Sequence, residues 1–278
     1  MIIQLSCADR PGIVSRITGI ISNVDGNIIS LEQHVESDKN LYFMRVVIDD
    51  DSFSHSRNQC IANLESEGKK LDAQLSIIDN SIRMNVAIFV TKEAAPLYDL
   101  LIKHQAGELH CHIPLIISNH VDLESIATQF NIPFFHFDIQ PNNKHEQEKD
   151  IQRIIDSHNI DLLVLARYMQ ILSPEFVNNN TSINIHHGFL PAFKGNRPYH
   201  QAWKRGVKII GASAHYVTKD LDEGPIIAQD VVSVTHHHSV KDMIQAGRDI
   251  ERRVLTSAVK AHLEHRIILH NQRTIIFH

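Results

Sequence analysis

Apolar and polar positions along the chain switch repeatedly between a period of two and helical spacing, and the switches mark its elements. Residues 2–7 read as a strand. Asp9-Arg10-Pro11-Gly12 breaks it, and Pro11, with its fixed φ and missing N–H, is placed to begin a helix. The apolar residues of that helix, Ile13, Val14, Ile17, Ile20 and Ile21, share one face, and Asp25-Gly26-Asn27 ends it. Residues 27–35 and 41–48, rich in apolar and β-branched side chains, predict a hairpin across the polar turn 37–40. An amphipathic helix over 54–70 and a strand over 73–78 complete the order strand, helix, strand, strand, helix, strand.

From about Arg83 the alternation lengthens. Strands are predicted at 85–90, 115–118, 133–137, 162–166 and 183–186, with helices near 94–104, 122–130 and 145–158. After Gly195 come a helix, strands over 209–217 and 226–234, and a long helix over 239–263. Strands alternating with helices imply an α/β fold with a mostly parallel sheet covered on both faces. Two domains are therefore expected, 1–80 and 81–278, with a short join at 79–81.

Composition narrows the partners. At 278 residues and 43% hydrophobic the chain has enough apolar material for two cores of the usual size. A formal charge of −5 argues against nucleic acid, which is held by clustered Lys and Arg. Cys7, Cys60 and Cys111 are odd in number and lack metal-site spacing, so they read as reduced thiols of a cytoplasmic protein. No signal peptide or membrane-length apolar run is read, and no membrane partner is expected. Twenty histidines invite a metal reading, but His236-His237-His238 reads as a solvated turn, and no metal is expected.

Chemistry concentrates in Ser182-Ile183-Asn184-Ile185-His186-His187-Gly188-Phe189-Leu190-Pro191 and, some thirty residues on, Lys219-Asp220-Leu221-Asp222-Glu223-Gly224-Pro225. A short strand would deliver Asn184 and His186 to one face and Ile185 to the other, and adjacent His186 and His187 to opposite faces, which disfavours a metal-dependent amidohydrolase. Pro191 stops the strand, leaving the polar pair at a strand end, where α/β enzymes keep their sites. An amide and an imidazole can grip a carbonyl oxygen as it becomes an oxyanion, and the Asp222 carboxylate can orient the imidazole and take a proton from a nucleophile. Acyl or formyl chemistry is the natural expectation.

Two resemblances extend this reading. The first eighty residues, with Asp9-Arg10-Pro11-Gly12-Ile13-Val14 at the first turn, resemble the ACT domain, a ferredoxin-like α+β module. The resemblance implies a small amino-acid effector at Asp9, Arg10, Pro11, Gly12 and Ile13, and a homo-oligomer, dimer or tetramer. The stretches from Asn184 to Gly195, from Gly211 to Val217 and from Asp220 to Ile227 resemble the folate-dependent formyltransferases, a Rossmann-like fold. That likeness implies Asn184, His186 and Asp222 as the catalytic trio. It also implies a folate pocket lined by Met169, Gln170, Ile171 and Leu172 on one side and Val217, Thr218, Lys219, Asp220 and Leu221 on the other. His187, His200 and His215 become supporting candidates.

The turn Val90-Thr91-Lys92-Glu93-Ala94-Ala95-Pro96 lacks the glycines that let backbone N–H groups cradle a phosphorylated acceptor. Water is then the simplest nucleophile. Together with His186-His187, Pro198-Tyr199-His200-Gln201-Ala202 and the tail Arg273-Thr274-Ile275-Ile276, this resembles the formyltetrahydrofolate deformylase family. The family reaction releases tetrahydrofolate and formate, which can supply purine synthesis, and needs no cofactor. Gly188 departs from the serine expected after the paired histidines. Formyl transfer to an unphosphorylated amine is the alternative.

Overall fold

The computed structural model describes residues 1–53, 56–138, 140, 143–193 and 197–278. Ser54, where the second helix was expected to begin, and Lys194 and Gly195 of the formyltransferase-like stretch lie outside the described residues. Two compact units emerge. One comprises residues 1–82, 265–268 and 275–278, the other 83–264 and 269–274. Assigning everything after residue 80 to the second domain thus needs correction, because parts of the C-terminal hairpin pack with the first unit.

The first unit contains β1 (Ile2–Ala8), α1 (Ile13–Ser22), β2 (Ile28–Glu36), β3 (Leu41–Ile48), α2 (Arg57–Leu71) and β4 (Gln74–Ile78). Its antiparallel sheet runs β2-β3-β1-β4. The inward-facing Ile3 and Leu5 of β1 meet Ile13, Ile17 and Ile21 of α1 and Leu64 of α2 in one core. Pro11 is not the first helical residue. It sits in a turn, and Gly12 takes the N-cap position with φ +89, a left-handed conformation that glycine adopts without a Cβ penalty. Within the same turn Asp9 N–H donates to the Asn40 carbonyl (2.9 Å) and Arg10 Nη2 to the Leu71 carbonyl (3.0 Å).

The second unit comprises β5 (Met84–Val90), α3 (Ala94–Gln105), β6 (Cys111–Ser118), α4 (Glu124–Gln129), β7 (Phe134–His136), α5 (Lys144–Ser157), β8 (Leu162–Ala166), α6 (Pro174–Asn179), β9 (Ser182–His186), α7 (Pro198–Arg205), β10 (Ile209–Tyr216), β11 (Ile226–Ser233) and α8 (Val240–Leu263). Its seven-stranded sheet runs β11-β10-β9-β8-β5-β6-β7, parallel from β9 to β7, with β10 and β11 antiparallel at one side. The strand order reverses at β5, flanked by β6 and β8, and such a switch point opens a crevice beyond the C-terminal strand ends.

Some boundaries move for identifiable reasons. β6 begins at Cys111 rather than at 115, running through Pro114 where the β5 register shifts, since a proline that cannot donate is tolerated at a bulge. Ser173 accepts from Phe176 N–H (3.2 Å) and starts the short α6. Ser239 and Asp242 form a reciprocal capping box at the start of α8. A final hairpin, β12 (Ile267–His270) and β13 (Arg273–Ile276), was read only as a tail. Its Ile268 and Ile275, with Phe277, cover the fully buried Phe43 of the first unit.

Candidate active site

β9 hydrogen-bonds in parallel to β8 (Leu165↔Asn184) and antiparallel to β10 (Asn184↔His215, His186↔Ser213). Period two puts Asn184 and His186 on one face while Ile183 and Ile185 fill the core on the other. The β10–β11 connection returns Asp222 to this face, in a left-handed backbone conformation (φ +56). His186 Nδ1 lies 3.2 Å from Asp222 Oδ2, and its Nε2 lies 3.2 Å from the Phe193 carbonyl oxygen. Both ring nitrogens therefore face an oxygen.

His215 completes the arrangement. Its Nδ1 lies 2.8 Å from the Tyr216 carbonyl oxygen, which fixes the proton on that nitrogen. Nε2 lies 3.3 Å from Asn184 Nδ2 and 3.7 Å from Asp222 Oδ1. Asn184 keeps a second N–H for another acceptor. Burial pushes the Asp222 carboxyl up, but the hydrogen bonds and charges of His186 and His215 outweigh it and hold the group well below the usual carboxylate range. Asp222 is consequently ionised at any working pH.

Glycines make room for this packing. A Cβ at Gly224 would lie 1.7 Å from the Tyr216 carbonyl oxygen, so only glycine allows the Asp222 loop to settle there. At Gly188, a Cβ would approach His186 Nε2 to 2.9 Å and the Phe193 carbonyl oxygen to 3.3 Å. The glycine that stands where serine was expected thus leaves the His186 imidazole uncrowded.

His187 does not point away from His186 as an extended strand would require. β9 ends at His186 and the chain bends, so the two rings lie 5.5 Å apart, with Tyr199 6.0 Å beyond His187. No group of metal-ligating side chains is found among the described residues. Burial, then the charges of Arg167 and His186, pull the His187 pKa down to about 3, against a smaller opposing effect of Asp222. The folded state therefore keeps this ring neutral while an unfolded chain protonates it below about 6.5. Its linkage contribution is present above pH 6.5 and is lost between there and pH 3. Urea midpoints measured across pH 4–7 should fall less steeply for His187→Phe than for the native chain; parallel curves would show that His187 carries no such linkage.

The other expected site residues separate into groups. Leu172 and Val217 pack against the core, Gln170 and Thr218 are half-buried, and Lys219 and Asp220 are exposed. Met169 (57% exposed), Ile171 (64%) and Leu221 (58%) leave large apolar side chains in solvent on the two segments expected to flank a heterocycle. His200 is exposed on α7 and has no hydrogen bond or ion pair with the trio. The His236 and His237 rings lie 3.9 Å apart, tilted by 42°, in an exposed turn.

Several supporting residues carried no sequence signal. Thr91 Oγ1 donates to Asn119 Oδ1 (2.8 Å) and accepts from Met169 N–H (3.0 Å), tying the Met169 segment to the ends of β5 and β6. Ser213 Oγ, fully buried, donates to the Gly188 carbonyl (3.0 Å) and accepts from Leu190 N–H (3.0 Å) and Gln229 Nε2 (2.8 Å). Every hydrogen-bonding position of that hydroxyl is used, and the loop after the trio is pinned by it.

An amide, a buried imidazole and an ionised carboxylate at the strand ends of a doubly wound sheet define an enzyme of acyl or formyl chemistry. The Formyl transferase family matches residues 84–259, and the ACT domain family matches residues 1–59. A formyltetrahydrofolate deformylase of Synechocystis is 47% identical over 274 residues, covering 98% of this chain and 96% of that protein; one of Bacillus subtilis is 42% identical, covering 98% and 92%. A solved formyltetrahydrofolate deformylase of Pseudomonas syringae superposes with a TM-score of 0.95 at 38% identity, over 100% of this chain and 94% of that one. A glycinamide ribonucleotide transformylase of Symbiobacterium toebii reaches 0.66 at 25% identity, over 70% of this chain and 95% of its own. The chain belongs to the formyltetrahydrofolate deformylase family.

Proposed function

We propose that this protein hydrolyses 10-formyltetrahydrofolate to tetrahydrofolate and formate, with Asn184, His186 and Asp222 as its catalytic residues. The observation that carries the assignment is the 3.2 Å pairing of His186 with a buried, ionised Asp222 beside an amide that retains a free N–H. The exposed Met169, Ile171 and Leu221 gain cover when a flat heterocycle enters between their segments. Leu172, Val217 and the polar residues around them shape that pocket.

Asp222 aligns a water molecule against the formyl carbon. A carboxylate held so low is a weak resting base, so it gains the proton only as attack develops. The water oxygen bonds to carbon, and the carbonyl electrons move onto oxygen. Asn184 N–H and the His186 ring beside it stabilise that oxyanion. Proton transfer to N10 then lets the carbon–nitrogen bond break, giving formate and tetrahydrofolate. The trio supplies every proton and donor needed, so the reading calls for no cofactor.

Release of both products from 10-formyltetrahydrofolate without any amine tests the reading; turnover that depends on an added amine would favour formyl transfer instead. In the same assay Asn184→Ala should lower kcat by about a hundredfold or more, the usual loss for an oxyanion donor. Near-normal turnover would remove Asn184 from that role.

The first unit is read as a regulatory and dimerisation module of a cytoplasmic homo-oligomer. Gly12, in its left-handed conformation between Arg10 and Ile13, supports close backbone approach by a small amino acid. Among the described residues no helix is long and apolar enough to cross a membrane.

A further inference from the structure

We propose that Arg167 forms a small-carboxylate subsite beside the trio, where the formate released by hydrolysis is held before it leaves. The proposal rests on the hydrolase reading for the origin of its ligand, but the subsite is a property of the folded chain. Arg167 follows the last residue of β8. Counting on from the Leu165↔Asn184 pair places it level with His186 on the neighbouring parallel strand, at the C-terminal strand ends where such sheets bind ligands. Its backbone is left-handed (φ +63), a conformation rare outside glycine and concentrated at functional sites.

The guanidinium is mostly buried and incompletely used. Nη1 stands 3.4 Å from Glu251 Oε2, yet both Nε and Nη1 are buried without a hydrogen-bond partner among the described residues. Buried donors of a purely structural ion pair are ordinarily satisfied. The other carboxylate oxygen of Glu251, Oε1, accepts from Tyr199 O–H at 2.7 Å. His187 packs between Tyr199 and His186, feels the charge of both Arg167 and Asp222, and is kept neutral, so it does not compete for an anion as a second cation. Unused N–H groups on a permanent cation match a carboxylate, the charged product of formamide hydrolysis.

Saturation-transfer NMR on the formate proton, with the native full chain, reads the subsite without turnover. Binding should be detected with a dissociation constant no tighter than about 1 mM, the ceiling for so small a ligand. Arg167→Gln should weaken it at least about tenfold, the loss of one charge-assisted contact, with Arg167→Lys intermediate. If Arg167→Gln does not fold, Glu251→Gln serves instead, because removing the competing carboxylate should tighten binding a few-fold. Added formate should also inhibit native turnover more than that of Arg167→Gln, against chloride at equal ionic strength. No binding by the native chain, or equal binding after either substitution, overturns the subsite. Hydrolysis without Arg167-dependent binding sinks the subsite and spares the hydrolase reading; Arg167-dependent binding without hydrolysis does the reverse.

Discussion

Asp222→Asn should leave the protein folded and lower kcat by between about a hundredfold and ten-thousandfold, with a much smaller change in KM for the folate. The range is that of a lost general acid–base. The substituted amide is close to isosteric, so the loop need not move. What changes is charge: the carboxylate that now faces His186 Nδ1 at 3.2 Å and His215 Nε2 at 3.7 Å becomes neutral. His186 then loses the carboxylate it pairs with, and the water loses its proton acceptor. Steady-state kinetics with folate binding followed separately decides the matter. A variant retaining more than a tenth of native turnover would mean that Asp222 only positions its neighbours.

Gly224→Ala should cost about a hundredfold in kcat without touching any group that meets substrate. Its Cβ would fall 1.7 Å from the Tyr216 carbonyl oxygen, whereas an ordinary carbon–oxygen approach is about 3.3 Å. The obstacle is backbone, held in place because Tyr216 N–H donates to the Pro225 carbonyl (2.9 Å) and Tyr216 lies in β10 between two strands. Relief must come from the loop, by roughly 1.5 Å on these distances. Asp222 is two residues away, and a displacement of about 1 Å is enough to lose a hundredfold in rate. Overpacking should also cost about 1–3 kcal/mol of stability. Native kcat together with a native urea midpoint would show that the loop is softer than this packing implies.

The pairing of Asn184 with His186 was legible because its signal is local: two alternate apolar positions, Ile183 and Ile185, announce β9, and the period of that strand fixes which side chains share a face, whereas Asp222 was named from its own motif some thirty residues on. The same logic located the helices of both units apart from the short α6, and every strand but the closing hairpin. It failed where partners are distant in sequence. Nothing near Thr91 announces Asn119 or Met169, nothing near Ser213 announces Gln229, and Arg167 and Glu251 meet across more than eighty residues. His187 was misdirected by extending strand geometry one residue past the end of β9. Pro11 was given a helical position because it suits one, but the chain spends the preceding turn on Pro11 and assigns the cap to Gly12.

The returning C-terminal segments set an order of assembly. Gln4 Nε2 donates to the carbonyls of His265 and Ile267 (both 3.0 Å), Arg45 Nε donates to His265 (2.8 Å), and Phe43 is roofed by Ile268, Ile275 and Phe277. A ribosome delivers residues 275–278 only after the whole of the second unit has been made. The unit whose strands are synthesised first therefore waits, with one face of its sheet uncovered, and is the later of the two to be finished.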